Sequence, residues 1–126
     1  MALCAFSGNE DKNTAVQLSF TNCQPGKGII YLRVGNENDE LIKTVKIDLS
    51  RTNDGYKLSN LAAGKYTIRC FQDLNGNERL DKNFMGIPTE PYGFANNPKI
   101  RFGPPSIQEQ TFEIKGRKKL TIQMKH

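Results

Sequence analysis

Between residues 73 and 81 the side-chain oxygens of Asp73, Asn75, Asn77 and Asp81 recur at alternate positions. A backbone that curls through such a run aims successive odd residues at one hard cation, as in the first part of an EF-hand loop, and Arg79 would add its carbonyl. Asp73, Asn75, Asn77, Arg79 and Asp81 therefore form a candidate calcium site. Two places depart from that pattern. The sixth position holds Glu78 where a glycine permits the sharp turn, and the twelfth holds Phe84 where a bidentate Glu completes the shell. Glu78 or the later Glu90 would have to supply that carboxylate, and so few acidic ligands imply binding on the order of millimolar. The same residues have a second reading, in which Asp and Asn side chains bond nearby backbone amides in successive turns and no ion is held. The sequence alone admits both.

A second group follows at Glu90, Tyr92, Phe94, Asn96, Asn97 and Arg101. Ring faces stack on a sugar or peptide, carboxamides supply hydrogen bonds, and an arginine pairs with an anion. The competing reading is internal, with the rings capping one end of the domain and Arg101 paired with Glu90 or Asp81. Paired-carboxylate hydrolysis would draw on Asp73, Glu78, Asp81 and Glu90, but nothing in the sequence sets their separation. Other enzyme chemistry lacks its parts. The one histidine is His126, the last residue, so Ser-His-Asp and Cys-His systems have no base and zinc has no imidazole cluster. No Walker loop or Gly-x-Gly-x-x-Gly run cradles phosphate. The expected function is a non-enzymatic binding or accessory module, with calcium as the one cofactor considered. A purely structural sandwich and a carboxylate hydrolase are the alternatives.

The elements that must position these residues read as strands. Val16, Leu18 and Phe20 alternate with Gln17 and Ser19; Ile30, Leu32 and Val34 with Tyr31 and Arg33; Val45, Ile47 and Leu49 with Lys46 and Asp48; Tyr66, Ile68 and Cys70 with Thr67 and Arg69. Shorter alternations surround Lys57, Glu113 and the pair Thr121 and Gln123, giving about seven strands. Turn-rich clusters at 24–28, 36–39, 53–55 and 115–117 fall at hairpin-like spacing, and no window sustains a helical period. The expected fold class is all-β, a single antiparallel sandwich whose Lys, Thr, Arg and Gln positions face water. From residue 72 to 109 the alternation stops for about 38 residues, far beyond an ordinary connection. That stretch carries Phe84, Met85, Ile87, Tyr92, Phe94, Ile100 and Phe102, so it reads as an internally packed loop that either caps the sandwich or recognises a ligand.

At 126 residues, 37% hydrophobic and 25% charged, the chain suits one core. An N-terminal segment, 1–13, and one domain, 14–126, are expected. No apolar run approaches the roughly 20 residues of a membrane span, and residues 1–6 are too few for the apolar stretch of a secretory signal. The net charge of +5 is scattered among Asp, Glu and Asn. Lys115, Arg117, Lys118 and Lys119 lack the interleaved aromatics of a nucleic-acid surface, so the expected partner is a protein, peptide or carbohydrate. Cys4, Cys23 and Cys70 make an odd count without a C-x-x-C pair. A Cys4 to Cys23 disulfide is open, and Cys70 is expected to behave as a small buried hydrophobe.

The most distinctive segments are Phe71-Gln72-Asp73-Leu74-Asn75-Gly76-Asn77-Glu78-Arg79-Leu80-Asp81, Gly86-Ile87-Pro88-Thr89-Glu90, Tyr92-Gly93-Phe94 and Arg101-Phe102-Gly103-Pro104-Pro105. On these the chain resembles the bacterial domain of unknown function family 2141, over nearly its whole length. The resemblance implies an exported protein, periplasmic or extracellular, with a prealbumin-like or immunoglobulin-like sandwich. It also implies a glycine where Glu78 stands. No activity comes with it, so the expectation becomes an exported binding or accessory module.

Overall fold

The computed structural model describes residues 15–24, 28–48, 55–100 and 103–125. Among them the chain forms eight strands: β1 (Ala15–Thr21), β2 (Ile29–Asn36), β3 (Leu41–Asp48), β4 (Tyr56–Ser59), β5 (Gly64–Asp73), β6 (Tyr92–Phe94), β7 (Thr111–Ile114) and β8 (Arg117–Gln123). They make two sheets, one ordered β4-β1-β8 and one ordered β3-β2-β5-β6, with β7 also joined to β5. The alternation read from the sequence sets the core. Val16, Leu18, Ile30, Leu32, Val34, Ile47, Leu58, Ile68 and Ile122 are all buried in one cluster between the sheets. Full burial of each such side chain contributes roughly 1.5–3 kcal/mol, so the interleaved apolar layer supplies the main drive to fold.

The centre of the larger sheet is β5. One edge pairs with β2 from Tyr66 to Asp73, while the other is shared, residues 64–67 pairing with β7 and residues 69–71 with β6. The strand β6 lies inside the stretch 72–109, and a 3-10 turn at Gln108–Gln110 straddles its end. Three residues are too few for period-two alternation to stand out in the sequence, which is why β6 escaped it.

Two further features depart from the sequence expectation. The β1–β8 pairing is parallel, in register from Ala15 opposite Arg117 to Thr21 opposite Gln123. A parallel pair needs a long connection between its strands, and here all the intervening strands provide it. The cluster at 115–117 is also no hairpin, because β7 pairs with β5 and β8 with β1. It carries the chain from one sheet to the other. The cluster at 36–39 is a true hairpin between β2 and β3, closed by Asp39 N–H donating to the Asn36 carbonyl at 2.9 Å. Turn chemistry reports that the chain changes direction, not which sheet it joins next.

The expected segment 1–13, Cys4 with its proposed disulfide, Arg101, Phe102 and His126 lie outside the described residues. Cys70 is buried, its Sγ 3.8 Å from Met124 Sδ, and burial pushes its thiol well above the usual range. It is the small core hydrophobe expected. Burial also raises the thiol of Cys23.

Candidate functional site

Beyond β5 the chain is held by three carboxylates. Asp73, only 4% exposed, accepts the Gly76 N–H on Oδ1 at 3.0 Å and the Glu78 N–H on Oδ2 at 2.8 Å. Glu90, also 4% exposed, accepts the Leu74 N–H on Oε2 at 2.8 Å and the Asp81 N–H on Oε1 at 3.0 Å. Between them, Asp81 accepts hydrogen bonds from the carboxamide nitrogens of Asn75 and, at 2.7 Å, Asn77. The carboxamide oxygens of the same two residues accept the N–H groups of Asn77 and Arg79 at 3.2 and 3.0 Å. These are successive Asx turns. Glu78 sits at φ +63°, the left-handed region that favours glycine, which accounts for the glycine the family resemblance implied there.

Past Asp81 the loop folds back on itself. Asn83 Oδ1 accepts the N–H groups of Met85 and Ile87, and Lys82 bridges to Pro88. The tip leaves Phe84 98% exposed. The chain then returns to the sheet, where Gln72 N–H donates to the Pro91 carbonyl at 2.8 Å and β6 begins.

This loop roofs the outer face of the larger sheet. On that face the strand registers place side chains in two cross-strand rows. One runs Lys46, Tyr31, Phe71, Tyr92; the other runs Thr44, Arg33, Arg69, Phe94. Tyr31 and Phe71 stack with ring centroids 5.5 Å apart and 19° between planes, and Lys46 Nζ lies 5.5 Å from the Tyr31 ring centre. Tyr92 meets Phe94 edge to face at 6.1 Å. Gly93 between them faces inward, where an added Cβ would come within 2.5 Å of Ile122 Cγ2 and 3.1 Å of Met124 Sδ. The Tyr-Gly-Phe segment therefore presents two rings outward because its middle residue has no side chain to place inward.

Between floor and roof is a cavity of about 590 Å³. Tyr31, Phe71, Tyr92 and Phe94 line its floor; Leu80, Ile87 and Pro88 line the roof; Ile100 and Pro104 also line it. Its charged lining is Arg33, Arg69 and Lys82, with no Asp or Glu among the described lining residues. Asp39, in the β2–β3 hairpin, holds the two arginines. Its Oδ1 is 2.7 Å from Arg33 Nη1 and its Oδ2 is 3.4 Å from Arg69 Nη2, while its carbonyl accepts Arg33 Nη2 at 2.8 Å.

Of the residues singled out in the sequence, Tyr92 and Phe94 line this cleft. Glu90 is a buried staple of the loop and not a surface group. Asn96 and Asn97 pin the chain elsewhere: Asn96 Nδ2 donates to the Thr111 carbonyl at 2.7 Å, and Asn97 bonds both the Thr121 carbonyl and the Gln123 N–H on β8. Asp73, Asn75, Asn77 and Asp81 are brought together, but their oxygens accept amide hydrogens as described, and Arg79 is exposed. No group of three or more metal-ligating side chains of the His, Cys, Asp and Glu types gathers among the described residues. Sequence reasoning missed Tyr31, Arg33, Arg69 and Phe71, which it assigned to water or left unremarked. Their signal was present: two aromatic residues on the polar side of alternating strands.

The family model described as an uncharacterized protein conserved in bacteria (DUF2141) matches residues 20–123. Neither a curated protein nor a solved structure matches the chain.

Proposed function

Since the chain belongs to that family of uncharacterized bacterial proteins, its role has to be read from its own surfaces, and we propose that it is an exported, non-enzymatic binding module. Its ligand site is the cleft between the loop and the larger sheet. The observation that carries this reading is the aromatic outer face. A sandwich needs only its inner faces apolar, yet Tyr31, Phe71, Tyr92 and Phe94 sit side by side on the outside, beneath a cavity of about 590 Å³. That volume falls in the range of roughly 300–1,000 Å³ usual for small-molecule sites.

The carboxylates support binding over hydrolysis. Asp73, Asp81 and Glu90 each accept two hydrogen bonds within the loop, so they act as framework and not as a catalytic pair. The same bonds support reading residues 73–81 as turn architecture that carries the roof, in place of an ion site. Export rests on the family resemblance and is checked by fractionating the producing cells.

The cleft is tested by titrating the protein with naphthalenemethanol, a neutral bicyclic probe, while recording amide NMR spectra. Shifts should gather on Tyr31, Phe71, Tyr92 and residues 80–88. They should vanish in Ile87→Trp, which fills the roof side of the cavity. Shifts scattered over the surface, or none, refute the site.

A further inference from the structure

We infer that the cleft selects a small amphiphilic carboxylate, its apolar body on the aromatic floor and its anionic head at Arg69. This rests on the cleft being the ligand site and adds the class of molecule it takes.

The charge inventory points to an anion. Arg33, Arg69 and Lys82 line the cavity, and no acidic residue does so among those described. Asp39 is one carboxylate shared between two guanidinium groups, which leaves positive charge uncompensated beside an apolar wall. Low local polarity strengthens the pull of that charge on an incoming anion.

The two arginines are not equivalent. Arg33 is committed, with one nitrogen 2.7 Å from the Asp39 carboxylate and another 2.8 Å from its carbonyl. Arg69 makes a single loose contact with Asp39, at 3.4 Å, among the described residues, and its side chain is 38% exposed. A guanidinium carries five N–H donors in a fork that matches a carboxylate. Arg69 has that fork to offer, beside the Arg33–Asp39 pair.

Position sets the shape of the ligand. Arg69 lies opposite Phe94 across the strands and two residues from Phe71 along β5. Side chains two apart on one strand face stand about 6.8 Å from each other. A carboxylate held at Arg69 therefore places a directly attached bicyclic ring, or a short acyl chain, over Phe71 and Tyr92. A neutral sugar is less well matched, because the described lining has no Asn, Gln, Asp, Glu, Ser or Thr and its nitrogen groups are cationic donors.

The test compares naphthoate with naphthalenemethanol, molecules of one shape that differ in charge, by calorimetry with NMR mapping on the full chain. Naphthoate should bind at least about tenfold more tightly, the scale of one charge-assisted pair at a half-exposed site. Arg69→Gln should remove that preference, and Arg69→Lys should keep most of it. Equal binding of the two probes by the unaltered protein overturns the anion inference and leaves the cleft standing. Absence of binding by either overturns both. A preference that survives Arg69→Gln overturns the assignment to Arg69. Should Arg69→Gln fail to fold, salt decides: the preference of the unaltered protein must shrink as ionic strength rises, and a salt-insensitive preference overturns the inference.

Discussion

Glu90 offers the sharpest test of how the roof is held. Its carboxylate is 4% exposed and accepts two backbone N–H groups, from Leu74 and Asp81, that lie on separate turns of the loop. Glu90→Ala removes both acceptors and leaves both amides without a partner. A buried donor stranded in this way costs about 1–3 kcal/mol. Leu74 and Asp81 are half-buried, so water reaches them in part and the lower end of that range applies. The expected loss is about 2–4 kcal/mol, a large share of the roughly 5–15 kcal/mol that holds an ordinary domain together. Glu90→Gln keeps one acceptor oxygen and should lose about half as much. Urea unfolding measures the total, and amide hydrogen exchange at Leu74 and Asp81 shows whether these two bonds are the cause. If Glu90→Ala unfolds within about 0.5 kcal/mol of the unaltered protein, or both amides stay protected, the staple is not what holds the loop.

Glu78→Gly should stabilise the protein by about 0.5–1 kcal/mol, since it relieves a left-handed strain of about 1–2 kcal/mol and gives back part of it as chain entropy; a fall in melting temperature would contradict the turn geometry. Gly93→Ala should destabilise by about 1–3 kcal/mol because the new methyl meets the buried Ile122 and Met124, and an unchanged melting temperature would show that β6 packs otherwise. Calcium or magnesium titrated into the protein should leave the amide signals of residues 73–81 in place. Shifts confined to that run would reinstate the ion.

The sandwich was legible because two-residue periodicity is a direct imprint of one buried face, and Val16, Leu18, Ile30, Leu32 and Ile68 each declared their side. Pairing was less legible. Nothing in residues 15–21 announces a parallel partner at 117–123, because a strand's sequence records how deeply it is buried and not which neighbour buries it. The candidate site divides the same way. Tyr92 and Phe94 were visible as an aromatic pair around a glycine, whereas Tyr31 and Phe71 occupy positions that a one-sided sheet would give to water. Only the returning loop turns that face into a second apolar surface. Asn96, Asn97 and Glu90 have the polar character of ligand-binding groups, and what assigns them to framework is the set of backbone groups that folding brings within reach.

The pairing of first strand with last bears on how the molecule assembles. Ser19 and Thr121 touch through their hydroxyls at 3.0 Å although 102 positions separate them. Joining points so distant closes nearly the largest ring this domain can make. The entropy of ring closure grows with its length, and such non-local topologies belong to the slow class of folders. The pairing with β8 covers the side of β1 that β4 leaves free, a side whose amides and carbonyls would otherwise be bare to any passing strand. In the finished sheet the open edge passes to β8, whose Arg117, Lys118 and Lys119 put charge where another strand would pair.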